Sequence, residues 1–329
     1  MNKRRKLIVA LGASALAVPL GAFGQNANPR RFGYLDYGSR QSTADAGRFV
    51  ALAEGMRGLG YVEGKSYVLE ERYAEGDVTR LDAHAAELVR LNVEIILSSG
   101  TPAHQAAKRA TRAIPIVVFA DADPVGNGLA ASLARPGGNI TGMSSSAVDL
   151  AQKLFELAIA AVPKLSRVAV LSNPSNSSHP PMLQDIRAAA KKSNRQVLAV
   201  NARTAGDIER AFAAMAREKA GAVIILIDGF FFSQRKQIGD LAMRHRLPSI
   251  ASNAGFAGAG GLISYGADFN DHYRRAAVFV DKILKGAKPA DLPFEQPMRF
   301  SFEVNRKTAS ALGIKISQEL LLRADKVIE

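Results

Sequence analysis

The 329-residue chain contains no cysteine and no tryptophan, and only five histidines. Lack of cysteine excludes disulfides, thiolate metal sites, a cysteine nucleophile and lipid attachment at a cysteine. Lack of tryptophan means that no indole of the chain can stack on a ligand ring. No Gly-x-Ser-x-Gly elbow, His-Glu-x-x-His pair or P-loop is present, so nothing points to hydrolysis or nucleotide binding. His84, His179, His245 and His272 fall in helices or loops away from the turns considered below. His104, near one such turn, reads as a surface histidine. Low-complexity segments and short solenoid repeats are also missing.

What is present begins with an address. Lys3, Arg4, Arg5 and Lys6 precede an apolar run from Leu7 to Phe23, which ends in Ala22-Phe23-Gly24. A charged start, a short apolar region and a small-x-small site form the pattern of a cleaved export signal over residues 1–24. A membrane anchor fits less well, because Gly12, Ser14, Pro19 and Gly21 dilute a run already short of ~20 apolar residues. The Arg4-Arg5 pair leaves the general and twin-arginine routes both open. The expected product is periplasmic and not lipid-anchored.

Cleavage would remove four of the thirteen net positive charges and leave +9. The remaining cations, such as Arg210, Arg217, Lys219, Arg235, Lys236 and Arg244, are scattered over amphipathic helices. They read as a solvated basic surface and not a nucleic-acid interface. With 47% hydrophobic and 22% charged residues, the composition is that of a globular protein large enough for two lobes.

Short apolar runs alternate with helix-length amphipathic segments. Candidate strands are 32–35, 67–72, 94–98, 116–119 and 139–143, then 167–171, 196–200, 222–227, 249–251 and 261–264. Runs such as Val168-Ala169-Val170-Leu171 and Val223-Ile224-Ile225-Leu226-Ile227 suit strands covered on both faces. Helical periods at 82–91 and 208–216 lie between strands, the latter with Asp207 as N-cap. Strict alternation predicts an α/β fold of two doubly wound parallel-sheet lobes joined by a hinge. The first lobe is expected over 29–143 plus about 268–299, the second over 144–265 plus about 300–329.

Ligands of doubly wound sheets bind at the carboxyl ends of strands. The first such turn holds Tyr37 and Ser39. The third strand runs into Ser99, Gly100 and Thr101, where Thr101 as N-cap and Pro102 as first helical residue would leave backbone N–H groups for a carboxylate. Thr101 could equally cap its helix and bind nothing. Asp121 and Asp123 follow the fourth strand without further oxygen ligands, so no metal or cofactor is expected. Asp123, before a proline, either receives an ammonium group or forms a turn. Ser144 begins the second lobe. Its strands end at Asn173, at Asp228 and Phe230, at Asn253 and at Tyr265. Phe230, Phe231 and Phe232 cannot all face inward on one helix, so either at least one lines a cleft or wall, or the run is a buried helix start. Polar groups interleaved with aromatics suit a small amphipathic ligand.

The assembled sequence resembles the substrate-binding proteins of ABC importers, in the family that includes aromatic amino acid receptors. The resemblance rests on Gly58-Leu59-Gly60-Tyr61-Val62-Glu63-Gly64, Asp123-Pro124-Val125-Gly126 and 133–142 (LARPGGNITG). Tyr273-Arg274-Arg275-Ala276-Ala277, 281–287 (DKILKGA) and 321–325 (LLRAD) extend it. It implies a type I periplasmic-binding fold of Venus-flytrap form, working as a monomer. It also implies carboxylate capture by Ser99, Gly100 and Thr101, with Asp228, Asn173 and Asp123 toward an amino group. The loop Ser252-Asn253-Ala254-Gly255-Phe256 departs from relatives that carry an acid and bulkier neighbours there.

The expected function is a periplasmic receptor that captures a small carboxylate, an amino acid or an aromatic or organic acid, for an inner-membrane ABC permease. Ligand would shift an open–closed equilibrium, and the closed, loaded form would dock. The alternative is a sensory module signalling to a membrane kinase or chemoreceptor. An enzyme on the same scaffold has no catalytic set to support it.

Overall fold

The apolar runs form the interior of two sheets. In the computed structural model, which describes residues 28–329, the first sheet contains β1 (Arg30–Asp36), β2 (Tyr67–Tyr73), β3 (Ile95–Ser99), β4 (Ile116–Asp121) and β5 (Ile140–Ser144). Its order is β2-β1-β3-β4-β5, all parallel. The export signal read at 1–24 lies outside the described residues.

The second sheet holds β6 (Arg167–Ser172), β7 (Gln196–Asn201), β8 (Ala222–Ile225), β9 (Ser249–Ala251), β10 (Ile263–Ala267), β11 (Phe300–Asn305) and β12 (Lys326–Ile328). The order is β12-β11-β10-β9-β8-β6-β7; β11 pairs antiparallel with β10 and parallel with β12, so these last two strands run opposite to the other five. β8 stops at Ile225 instead of reaching Ile227. The Ile227 carbonyl accepts from His179 Nε2 at 2.8 Å, so a side chain takes the place of a ladder partner. In the helix Ala205–Arg217 the cap is Thr204, not Asp207. Asp207 sits three residues in and completes a reciprocal capping box.

The helix Phe269–Leu284 follows β10 of the second sheet but packs on β4 and on the helix Arg48–Gly58 of the first. Tyr273, Ala276, Ala277, Phe279 and Val280 join Phe32, Tyr34, Leu52 and Phe119 in one buried cluster. The chain then returns to the second sheet at β11. At the crossing of the two helices, a Cβ on Gly55 would stand 2.3 Å from the Arg274 carbonyl oxygen. Backbone meets backbone there, which fixes how Arg48 and Tyr273 face one another.

Gly55→Ala should therefore cost about 1–3 kcal/mol through overpacking. Gly58→Ala in the same helix meets nothing within 4 Å and should be neutral or slightly stabilising. Denaturant midpoints of the two variants check this, and equal midpoints would remove the close crossing as a constraint.

Candidate functional site

The carboxyl ends of the strands face one another across a narrow cleft. Ser99, Gly100, Thr101 and Phe119 line it from the first sheet, with Tyr273 and Phe269 from the helix that crosses over. Asn176, Asp228, Phe232 and Asn253 line it from the second.

One wall is aromatic. The Phe119 and Tyr273 rings stack at 3.8 Å and 2°. Tyr273 Oη lies 3.0 Å from Tyr34 Oη and 3.1 Å from Ser99 Oγ. Burial raises the Tyr273 hydroxyl pKa, with Arg48 opposing, so it stays neutral. Phe232 lies between two cations, Arg48 at 4.3 Å and Arg235 at 4.5 Å from its ring centroid. Arg48 also stands 5.2 Å from the Phe269 ring and 5.7 Å from Tyr273.

Arg48 is only 8% exposed. Among the described residues no carboxylate lies within 4.0 Å of its guanidinium, and none of its N–H groups has an acceptor. Asp45 leans instead toward Arg235, at 3.8 Å. A guanidinium cannot shed its charge, so this mostly buried side chain brings the cleft a permanently charged donor set without a protein acceptor, its nitrogens still touching solvent. Beside it, Asn253 is 5% exposed and its Oδ1 has no hydrogen-bond partner.

Asp228 on the opposite wall is fully engaged. Its Oδ1 accepts from Phe230 N at 2.9 Å and Phe231 N at 3.3 Å, capping the helix Gly229–Ser233. Its Oδ2 accepts from Asn176 Nδ2 at 3.0 Å and Asn173 Nδ2 at 3.3 Å. Asn173 Nδ2 also donates to Tyr37 Oη at 2.9 Å, across the lobes. Further bonds bridge them, among them Asn127 Nδ2 to Ser178 Oγ at 2.9 Å, Ser177 Oγ to Asn127 Oδ1 at 2.8 Å, Ser39 N to Ser233 Oγ at 3.2 Å, and the Ser42 and Ser233 hydroxyls at 3.0 Å.

The sequence candidates thus separate. Ser99, Gly100, Thr101, Asp228 and Asn253 line the cleft, and Tyr37 and Asn173 form a bridge behind it. Gly100, not Thr101, caps the helix Thr101–Ala110; its φ of 90° suits glycine. The Thr101 hydroxyl instead donates to buried Asp121 Oδ2 at 3.1 Å. Ser39 caps the helix Arg40–Asp45, and Ser144 Oγ accepts from Ser146 N at 3.1 Å while Ser145 takes the wall position. Asp123 forms a turn, accepting from Gly126 N at 2.8 Å. Phe230 packs against Gly76 of the other lobe, so Phe232 is the phenylalanine on the cleft. Tyr265 lies mid-strand in β10 and packs on Phe300 and Phe302, away from the cleft.

Arg48, Phe119 and Tyr273 are not legible in the sequence as site residues. Only the crossing of two helices distant in sequence brings them together. The histidines also need correction. His104 is fully buried, with Nδ1 2.8 Å from Ser98 Oγ and Nε2 3.1 Å from the Ala120 carbonyl. His179 supports the Asp228 loop, accepting from Asn173 N at 2.7 Å.

Burial lowers the pKa of His104 and His179, and that of His272 to about 4. As pH falls below about 6.5 the unfolded chain binds protons that the folded chain refuses, so stability is full above 6.5 and declines below it. Each histidine contributes a slope of up to about 1.4 kcal/mol per pH unit. Thermal midpoints should fall between pH 6.5 and 5, above the carboxylate range. A flat profile there would contradict neutral burial of these rings.

The sequence profile described as ABC transporter substrate binding protein matches residues 46–328. A tyrosine-binding protein of Clostridioides difficile (strain R20291) is 27% identical over 257 residues, spanning 78% of this chain and 73% of that protein. A solved conserved domain protein from Vibrio cholerae superposes with a TM-score of 0.83 at 27% identity, covering 91% of this chain and 99% of that one. An ABC domain from Streptococcus pneumonia in complex with L-Trp gives 0.82 at 26% identity, covering 91% and 100%. These share the two-lobed type I periplasmic-binding fold. The chain therefore belongs to the ABC transporter substrate-binding protein family, whose members bind small molecules and do not transform them.

Proposed function

We propose that this protein is the exported receptor of an ABC importer, and that it captures a small aromatic carboxylate between its lobes for delivery to a membrane permease. The observation that carries this reading is the buried Arg48 guanidinium, unpaired in a cleft walled by aromatic rings. A ligand carboxylate would meet this charge through bidentate hydrogen bonds, which are stronger in a cleft than in open water. The N-terminus of the helix Thr101–Ala110 lines the same cleft and adds a favourable dipole. A flat ring fits against Phe119, Tyr273 and Phe232. The relatives' ligands, tyrosine and L-Trp, are aromatic carboxylates as well.

Both lobes contribute to the wall, so ligand favours the closed form by its contacts with both. Among the described residues no helix is long and apolar enough to cross a membrane. This suits a receptor that delivers to a separate permease.

X-ray scattering should show a smaller radius of gyration at saturating ligand, and unchanged dimensions would count against capture by closure. An aromatic acid should bind at least tenfold tighter than its methyl ester, which loses the charge that Arg48 requires. Equal affinities would overturn the carboxylate assignment.

A further inference from the structure

We infer that the ligand is a deaminated aromatic monocarboxylate, an aryl-alkanoic acid with a single ring donor, and not a zwitterionic amino acid. This rests on the reading of the cleft as an aromatic-carboxylate site and narrows the class.

The inference comes from counting acceptors. An α-ammonium brings three N–H donors and a charge, and once stripped of water it needs acceptors on the wall. Asp228, the one carboxylate lining the cleft, spends both oxygens on Phe230 N, Phe231 N and the amides of Asn173 and Asn176. Neighbouring carbonyls are already engaged, Ala120 by His104, Ile227 by His179 and Gly229 by Ser233, and each keeps at most a second lone pair. The Asn176 side-chain oxygen accepts from Ser178 N at 3.1 Å.

Against this stands a surplus of donors. Arg48 has no partner among the described residues and is more than nine-tenths buried. Of the buried side-chain oxygens on the wall, Asn253 Oδ1 alone has no hydrogen bond among the described residues. One cation and one neutral acceptor match one carboxylate and one neutral donor. An indole N–H or a phenol O–H supplies that donor without a second charge. An ammonium would have to compete for that one free side-chain oxygen and would add a positive charge near Arg48 and Arg235. The carboxylates of Asp45, Asp268 and Glu303 line the adjoining pocket and not this wall.

The test compares matched pairs by calorimetry on protein refolded from denaturant to strip bound ligand: 3-(indol-3-yl)propionate with L-tryptophan, and 3-(4-hydroxyphenyl)propionate with L-tyrosine. Since the chain has no tryptophan, indole emission gives a second readout free of protein background. In at least one pair the deaminated acid should bind tenfold or more tighter than the amino acid. Asn253→Ala should weaken 3-(4-hydroxyphenyl)propionate at least fivefold and leave 3-phenylpropionate within twofold. If the amino acids bind as tightly as their deaminated partners, the inference fails while the aromatic-carboxylate reading survives. Failure of all four ligands to bind overturns both. Equal losses for the phenol and phenyl acids on Asn253→Ala overturn the assignment of the ring donor to Asn253.

Discussion

A single guanidinium without a counter-ion organises this cleft. Arg48 opens the helix Arg48–Gly58, and its charge is held between Phe232 of one lobe and Phe269 and Tyr273 on the helix that crosses back to the other. The faces of aromatic rings partly solvate the cation, at about 0.5–2 kcal/mol each, which is less than a carboxylate would supply. The crossing at Gly55 brings the helix that carries Arg48 directly against the helix that carries Tyr273. Site and scaffold are thus coupled. The helix pair that closes the first lobe's core also aims the charge.

Closure has a different character. Most bonds that bridge the lobes are neutral: Asn173 to Tyr37, Asn127 to Ser178, Ser177 to Asn127, and Ser39 and Ser42 to Ser233; one long ion pair, Arg235 to Asp45 at 3.8 Å, joins them. Each neutral bond is worth about 0.5–1.5 kcal/mol net, against water competing in the open form. Bridges of this strength set register between lobes without locking them. Ligand can then shift the balance by a few kcal/mol, the scale that population shift requires. The buried histidines stiffen the walls instead. His104 ties the start of one helix to β4, and His179 ties the Asn173 turn to the Ile227 carbonyl.

Strands were legible because their runs are apolar on both faces. All ten candidate strands occur, with limits within two residues of expectation except at β10, which runs three residues further to Ala267; β8 ends two residues early, where a histidine intercepts the Ile227 carbonyl. Local chemistry was less legible where neighbours compete for a role. Gly100 precedes Thr101 and has the freer backbone, so it caps the helix and releases the threonine hydroxyl to Asp121. Asp207 yields the cap to Thr204 for the same kind of reason. Phe232 rather than Phe230 faces the cleft because successive helical residues turn by about 100°, and three-letter runs do not say where the turn begins. Arg48 was invisible. In sequence it is one cation among 43 lysines and arginines, and only tertiary packing distinguishes it.

The most direct measurement is a double cycle between protein and ligand. Affinities would be compared for an aromatic acid and its primary amide, on the native protein and on Arg48→Met, with the unliganded variant's thermal midpoint confirming that it folds. Because the guanidinium meets the carboxylate, the acid should lose at least tenfold more affinity than the amide when Arg48 is replaced. Equal losses would show that Arg48 serves the packing of the cleft and does not read the charge of the ligand.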